Sequence, residues 1–250
     1  MVERGLTMDI KTFENNMKLL EACHESDFDM IQDLINGGVD VDARNDDGST
    51  PLIEVCREDS NLNIAQYLIE HGADVNTKNT INQSPLSEAC MGNAINMVKL
   101  LLNSGADPHL HDKDFNSLLM AAIEFSSAEV VKLLLEAGLD PNNGGKGKRI
   151  LLFKAVTAYL DAWQKCDLLL KFGANVNITD EFGFNALMIV IKYGENKDIL
   201  PIVECLIQHG INVAALDIDG KSALDHLNAR KEINKKDKDK ITKLVKEALN

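Results

Sequence analysis

Two short stretches of this 250-residue chain gather residue types that could do chemistry. His109-Leu110-His111-Asp112 places two imidazoles and a carboxylate close together, and alternate side chains of an extended segment share a face. That falls short of a zinc site: no third histidine or cysteine lies nearby to complete the usual four-coordinate set. Asn142–Lys148 is rich in glycine and ends in lysine, as a phosphate cradle does. A P-loop, however, needs a glycine where Asn142 stands and Ser or Thr where Arg149 stands. Gly145-Lys146 fails in the same way, because Gly147 follows. Cys23, Cys56, Cys90, Cys166 and Cys205 form no Cys-x-x-Cys pair. No Ser-His-Asp or Cys-His order can be argued either. The expectation is therefore no catalytic site, no metal and no cofactor.

Every one of those residues also fills a place in a longer pattern. Gly38, Gly72, Gly105, Gly138, Gly173 and Gly210 recur at spacings of 34, 33, 33, 35 and 37. Ten residues after each come Gly48, Asn82, Phe115, Lys148, Gly183 and Gly220. A fixed offset over six units marks an internal repeat. Before each glycine of the first series runs an apolar stripe at helical spacing, such as Met97, Val98, Leu101 and Leu102. After it comes a polar turn, and then a second helix start such as Thr50-Pro51 or Ser84-Pro85, with hydroxyl N-cap and proline at the first helical position. Helices this short are unstable alone and must bury their stripes against neighbours.

The pattern predicts an all-α solenoid of stacked helix pairs joined by hairpin-like turns, with pairs near 17–37, 51–70, 85–103, 118–136, 151–171, 186–208 and 223–249. Residues 1–13 read as a leader and 14–250 as one repeat domain, with an N-terminal cap at 14–44, internal repeats at 45–219 and a C-terminal cap at 220–250. Lys235–Lys240 reads as a charged loop before a closing helix, and Trp163 as a core residue. Two residues are inserted around Tyr159–Ala162 and four around Gly194–Leu200, with Pro201 suited to the first position of the following helix. Cys56 and Cys90 share a register position and should be buried thiols, which fits a reducing compartment. His71 and His209 precede helix-stopping glycines and suit the carbonyl ends of helices.

Asp47-Gly48-Ser49-Thr50-Pro51-Leu52, Leu68–Asn76 and Leu170–Asn177 resemble the ankyrin repeat, and the resemblance runs from about residue 14 to 250 as six hairpins and seven helix pairs. Departures are clear. Ile53, Ser87, Met120, Phe153, Met188 and Asp225 stand where the family has histidine, and the proline survives only at Pro51 and Pro85. The resemblance implies a non-catalytic protein that grips another protein with its hairpin tips and concave first-helix face. Three other readings stand beside it: a stoichiometric inhibitor or immunity-type protein masking a partner enzyme, a scaffold in a larger assembly, and a nucleotide-linked activity centred on Asn142–Lys148.

Net charge of −13 argues against nucleic acid and anionic membranes and favours a basic partner surface. The imbalance is uneven, since residues 229–250 carry a net +4. No signal peptide and no apolar run of membrane-spanning length is visible, so the expectation is a cytoplasmic protein, monomeric when free. The site is sought where exposed positions break the repeat. Ile81, Phe182, Leu216 and Ile218 fall at hairpin tips, and Arg57, Met91, Glu124, Phe125, Tyr159, Lys192 and Tyr193 at the ends of first helices. Aromatics and arginine dominate interface energetics. The candidate partner-binding set is Arg57, Ile81, Met91, Phe125, Phe182, Tyr193 and Ile218.

Overall fold

The computed structural model describes residues 10–109, 118–144, 150–194 and 199–249. Phe115, Lys148, His111 and Asp112 lie outside the described residues, as does most of the glycine-rich loop. The chain divides into two compact units, Met1–Asp114 and Phe115–Asn250. Unit 1 contains three helix pairs: α1 (Ile10–Glu25) with α2 (Phe28–Asn36), α3 (Pro51–Val55) with α4 (Leu62–Glu70), and α5 (Pro85–Met91) with α6 (Ile95–Asn103). Unit 2 contains four: α7 (Leu118–Phe125) with α8 (Ala128–Glu136), α9 (Leu151–Val156) with α10 (Ala162–Lys171), α11 (Ala186–Tyr193) with α12 (Ile199–Gln208), and α13 (Ala223–Ala229) with α14 (Lys235–Ala248). Among the described residues there is no β-strand, only an isolated bridge between Leu216 and Ser222. The described residues form the all-α helix pairs that the repeat pattern predicts.

Within each unit, first helices pack on first helices and second helices on second. In unit 1, α1 meets α3, α3 meets α5 and α4 meets α6; in unit 2, α7, α9, α11 and α13 follow one another, as do α8, α10, α12 and α14. Most of the apolar stripe on the second helices is buried, while Leu34, Ile35, Tyr67, Leu102 and Ile207 are partly buried. Leu68, Met97, Val98, Leu101, Val130, Val131, Leu134, Val203 and Leu206 are all essentially inaccessible. Each such side chain contributes roughly 1.5–3 kcal/mol on removal from water. All five cysteines are buried, and no disulfide joins them. Burial pushes the Cys23 thiol up to about 12 and raises those of Cys56 and Cys90 as well.

The predicted starts and stops are visible as hydrogen bonds. The Ser84 and Ser87 hydroxyls form a reciprocal capping box at the start of α5, and Ser222 with Asp225 does the same for α13. Gly72 and Gly173 leave their helices at φ of +93° and +95°, the left-handed region that a Cβ disfavours. His71 Nδ1 lies 2.8 Å from the Tyr67 carbonyl and His209 Nδ1 2.9 Å from that of Cys205, as their positions at helix ends implied.

Successive turns are tied by side-chain amides. Asn76 accepts from the Asp107 N–H at 2.7 Å and donates to the Gly105 carbonyl at 3.1 Å. In unit 2, Asn142 bridges the Asn175 N–H and the Gly173 carbonyl at 2.8 and 3.0 Å, and Asn177 bridges the Asn212 N–H and the Gly210 carbonyl at 2.6 and 3.2 Å. Asp42 occupies the same register and accepts from the Asp74 N–H at 3.2 Å, but a carboxylate has no donor for the carbonyl. Helix starts are also capped from a neighbouring repeat. Asp59 accepts from the Asn96 and Met97 N–H groups of α6, and Asp161 from that of Ala128 at the start of α8.

Four expectations need correcting. Helix α1 begins at Ile10, seven residues before the expected start of the first helix pair at 17. Lys235–Lys240 opens α14 and is not a loop: Asn234 caps it by accepting from the Asp237 N–H, and the lysines are good helix formers. Pro201 is the third residue of α12, not the first, a place where the N–H is still an orphan donor and its loss costs nothing. Trp163 is 45% exposed. The buried stripe of α10 is Ala162, Lys165, Cys166, Leu169 and Leu170, and Trp163, one step along, falls off it.

Two predictions follow from this packing. Asp42→Asn restores the missing donor toward Gly72 and should raise stability by about 1 kcal/mol, read as a higher urea midpoint; a lower midpoint would mean that the carboxylate's bonds to Asp74 outweigh a second bond. Gly92 has an ordinary φ of −77°, but a Cβ there would lie 1.8 Å from the Arg57 carbonyl oxygen. Gly92→Ala should therefore cost about 1–3 kcal/mol by forcing α3 and α5 apart, and an unchanged midpoint would refute that close approach.

Candidate functional site

Of the seven candidate residues, Arg57, Ile81 and Met91 belong to unit 1 and Phe125, Phe182, Tyr193 and Ile218 to unit 2. In unit 2, the turn at Asp180–Phe184 is held by its first side chain: Asp180 Oδ1 accepts from the Phe182 and Phe184 N–H groups, both at 2.9 Å. Asp217 does the same for the next turn with the N–H groups of Asp219 and Lys221. Those bonds, Lys221 N–H first, hold the Asp217 carboxyl below the usual carboxylate range. The Ile218 N–H donates to the Phe182 carbonyl at 3.1 Å, which brings these two candidate residues together at adjacent tips. Phe182 is 51% exposed and Ile218 70% exposed.

Tyr193 ends α11 and is 54% exposed. Its ring lies 6.3 Å from that of Phe184, and Lys192 Nζ stands 4.4 Å from the Phe184 ring centre. Phe184 packs in turn on His226, whose Nε2 is 2.8 Å from Asp217 Oδ2. The guanidinium of Arg230 donates to the carbonyls of Ile191 and Gly194 and so fixes the end of the helix that carries Tyr193. Tyr193 also lines an open groove of about 400 Å³ that crosses the first helices α7, α9 and α11. Its floor is Met120, Ile150, Phe153 and Ile189, and Lys154 pairs with Glu124 across it at 2.8 Å. Phe125 is 60% exposed but does not line that groove, and Tyr159 projects almost wholly into solvent.

In unit 1, Ile81 is an exposed tip residue whose N–H is held by Asn79, while Met91 is half-buried. Arg57 lines a polar cavity of about 380 Å³ together with Glu54, Glu58 and Glu88. Its guanidinium is 4.0 Å from Glu88 Oε2, the outer limit of an ion pair. Glu88 is only 7% exposed, and its Oε1 has no hydrogen-bond partner. Burial raises its carboxyl above the usual range, against the pull of Arg57 and with the help of Glu54. Sequence reasoning passed over Glu54 and Glu88 because it sought exposed positions. The available signal was their register, which Ile189 fills with an apolar side chain in unit 2.

Two further groups were missed. Lys165 is fully buried, and its Nζ donates to the Ile123 carbonyl at 2.9 Å; desolvation lowers its pKa. Asp167, Cys205 and His209 bring one ligand atom each within 4.8 Å of one another. Those atoms already have partners: Asp167 binds Lys171 Nζ at 2.6 Å, and the His209 Nδ1 is engaged by the Cys205 carbonyl. A hydrogen bond from Cys166 favours the thiolate of Cys205. The other suggested metal cluster retains only His109 among the described residues.

The raised Glu88 carboxyl has a pH signature. In the interval between its ordinary and raised values the folded state holds a proton that the unfolded state has lost, so this residue's contribution to stability falls as pH rises through that interval. Glu88→Gln should melt higher than the parent at neutral pH, by a few degrees, with the gap closing below about pH 4, where Glu88 is protonated in both states. A gap that is absent, or that persists in acid, would show that burial of the charge is not the cause.

With this geometry in hand, comparisons place the chain. The family model for Ankyrin repeats (3 copies) matches residues 19–112, 86–165 and 152–245. No curated protein matches the sequence. Among solved structures, the ankyrin repeat domain of Bcl-3, titled a unique member of the IkappaB protein family, aligns with a TM-score of 0.70 at 25% identity, covering 92% of this chain and 97% of that one. The human ASB11 ankyrin repeat domain aligns with a TM-score of 0.71 at 23% identity, covering 92% and 96%, a likeness of fold. Such domains are generally modules for protein–protein interaction. Matches running from residue 19 to residue 245, on a chain whose described residues form helix pairs joined by tight turns, make this chain a member of the ankyrin-repeat family.

Proposed function

We propose that this protein is a non-catalytic binder that holds a partner protein on the first-helix face and hairpin tips of unit 2. The observation that carries the reading is the groove over α7, α9 and α11. Met120, Ile150, Phe153 and Ile189 give it an apolar floor, the Glu124–Lys154 pair gives it a polar wall, and Tyr193 stands at one end with more than half its surface in water. An apolar centre with polar surroundings and an aromatic anchor is the composition of an interface core. Phe182 and Ile218 extend the apolar surface at the tips, where neither is needed to hold its turn.

The chain's acidic balance suits a partner with a basic surface, which would speed association at low salt. No helix among the described residues is long and apolar enough to cross a membrane. Arg57, Ile81 and Met91 belong to unit 1, and Phe125 neither lines the groove nor sits at a hairpin tip, so the anchors proposed here are Tyr193 at the groove and Phe182 and Ile218 at the tips.

The test is to recover the partner by cross-linking with the full chain as bait, then to measure affinity and melting temperature for Phe182→Ala and Tyr193→Ala. A true anchor should cost the complex about 2 kcal/mol or more, with stability changed by about 0.5 kcal/mol or less for Phe182. Unchanged affinity in both variants would remove this face from the interface.

A further inference from the structure

The polar cavity of unit 1 differs in kind from the groove of unit 2. Three carboxylates, Glu54, Glu58 and Glu88, line it against one guanidinium, Arg57. Arg57 is a weak partner for Glu88: the separation is 4.0 Å, and two-thirds of the arginine side chain is in solvent. Glu54 directs Oε1 to the Asn45 side-chain amide at 3.1 Å. Glu88 lines the cavity, and of its two carboxylate oxygens Oε1 is buried and receives no hydrogen bond. A buried acceptor without a donor costs about 1–3 kcal/mol, and more when charged. The repeat itself does not call for a glutamate there, because the same register position holds Ala121, Lys154, Ile189 and His226 in unit 2.

We infer that this cavity is a receptor for the cationic side chain of a lysine or arginine on the partner protein, with the Glu88 carboxylate as the acceptor and Glu54 as its neighbour. A charged N–H donor would answer the Glu88 charge that Arg57 meets only at 4.0 Å, and charge-assisted bonds of this kind are stronger than neutral ones. A cationic side chain fits better than a metal ion. Among the described residues, Glu54, Glu58 and Glu88 do not gather their oxygens at ligand spacing, as Asp167, Cys205 and His209 do with theirs. The negative balance of the whole chain favours the same visitor. The inference deepens the reading of the protein as a binder of a basic partner. It uses a surface of unit 1 that the Tyr193 groove does not share.

The probes are Nα-acetyl-arginine methylamide and Nα-acetyl-lysine methylamide, whose only charge is on the side chain, with the glutamine analogue as the neutral reference. Each is titrated into the isotope-labelled full chain and followed by amide NMR. The expected result is saturable shifts at Ile53, Glu54 and Glu88 with one or both cationic probes and none with the glutamine analogue. Glu88→Gln should weaken the affinity about tenfold, while Glu70→Gln, which removes an equal charge at an exposed site of α4, should leave it unchanged. Shifts that are absent, that scatter over the acidic surface, or that weaken equally in Glu70→Gln would overturn the inference. Because the probes need no partner, failure here leaves the unit 2 reading intact, and failure of the unit 2 variants leaves this one intact.

Discussion

Register between successive repeats in each unit rests on one hydrogen-bonding device, the side-chain amide that reaches from one turn to the next. Its two ends have fixed chemistry. The oxygen takes a backbone N–H two residues beyond the next helix-stopping glycine, and the nitrogen gives to that glycine's carbonyl, as Asn76, Asn142 and Asn177 do. The carbonyl so bonded is one that the end of the helix would otherwise leave to solvent. One side chain therefore satisfies two backbone groups of its neighbour and sets the step from repeat to repeat. The helices then need only a stripe of the right period to bury against the next pair. The inter-repeat caps work alongside it: Asp59 and Asp161 supply to α6 and α8 the acceptors that Ala94 and Ser127 do not provide as N-caps.

With the step set by turns and caps, the first-helix face is released from some of the duty of holding the stack. One register position along those helices holds Glu54 and Glu88 in unit 1, and Lys154, Ile189 and His226 in unit 2. The backbone is the same and the chemistry is not. Lys154 finds Glu124, and His226 finds Asp217, so these charges are answered within the unit. Glu88 is answered only at the limit of an ion pair. A uniform scaffold thus carries surfaces of opposite character, an apolar groove and an acidic cavity, without any change in how its repeats are joined.

Much of the fold was legible because its signals are local. A left-handed glycine after an apolar stripe, and a hydroxyl before a proline, act through their own backbone and so can be read one residue at a time. The seven helix pairs follow from them. What was not legible depended on register after an insertion or on contacts with another repeat. Trp163 looked like core until the helix start at Ala162 set which residues face inward, and the same phase buried Lys165 beneath the Ile123 carbonyl. Lys235–Lys240 looked like a loop by charge, but charge does not oppose a helix that has a cap. For the site, exposed apolar tips could be read as departures from a polar rule. The acidic cavity could not, because no local rule says that a glutamate at a first-helix position will be buried by the next repeat and left without a donor.

The tips show why exposed departures still carry information. In the Asp180 turn, Oδ1 of the first residue accepts from the second and fourth N–H groups after it, and Gly183 supplies the positive φ of +77°. None of these bonds involves the side chain of Phe182. Two residues on, Phe184 is buried against His226 and serves the fold. One turn therefore holds two phenylalanines with different physical consequences, one whose ring leaves water on folding and one whose ring remains about half in it. Removing apolar surface from water is favourable only when something covers it. At Phe184 the next repeat does so. At Phe182 nothing within the unit does, which makes position within the turn, and not residue type, the property that separates a packing residue from one whose apolar surface stays exposed.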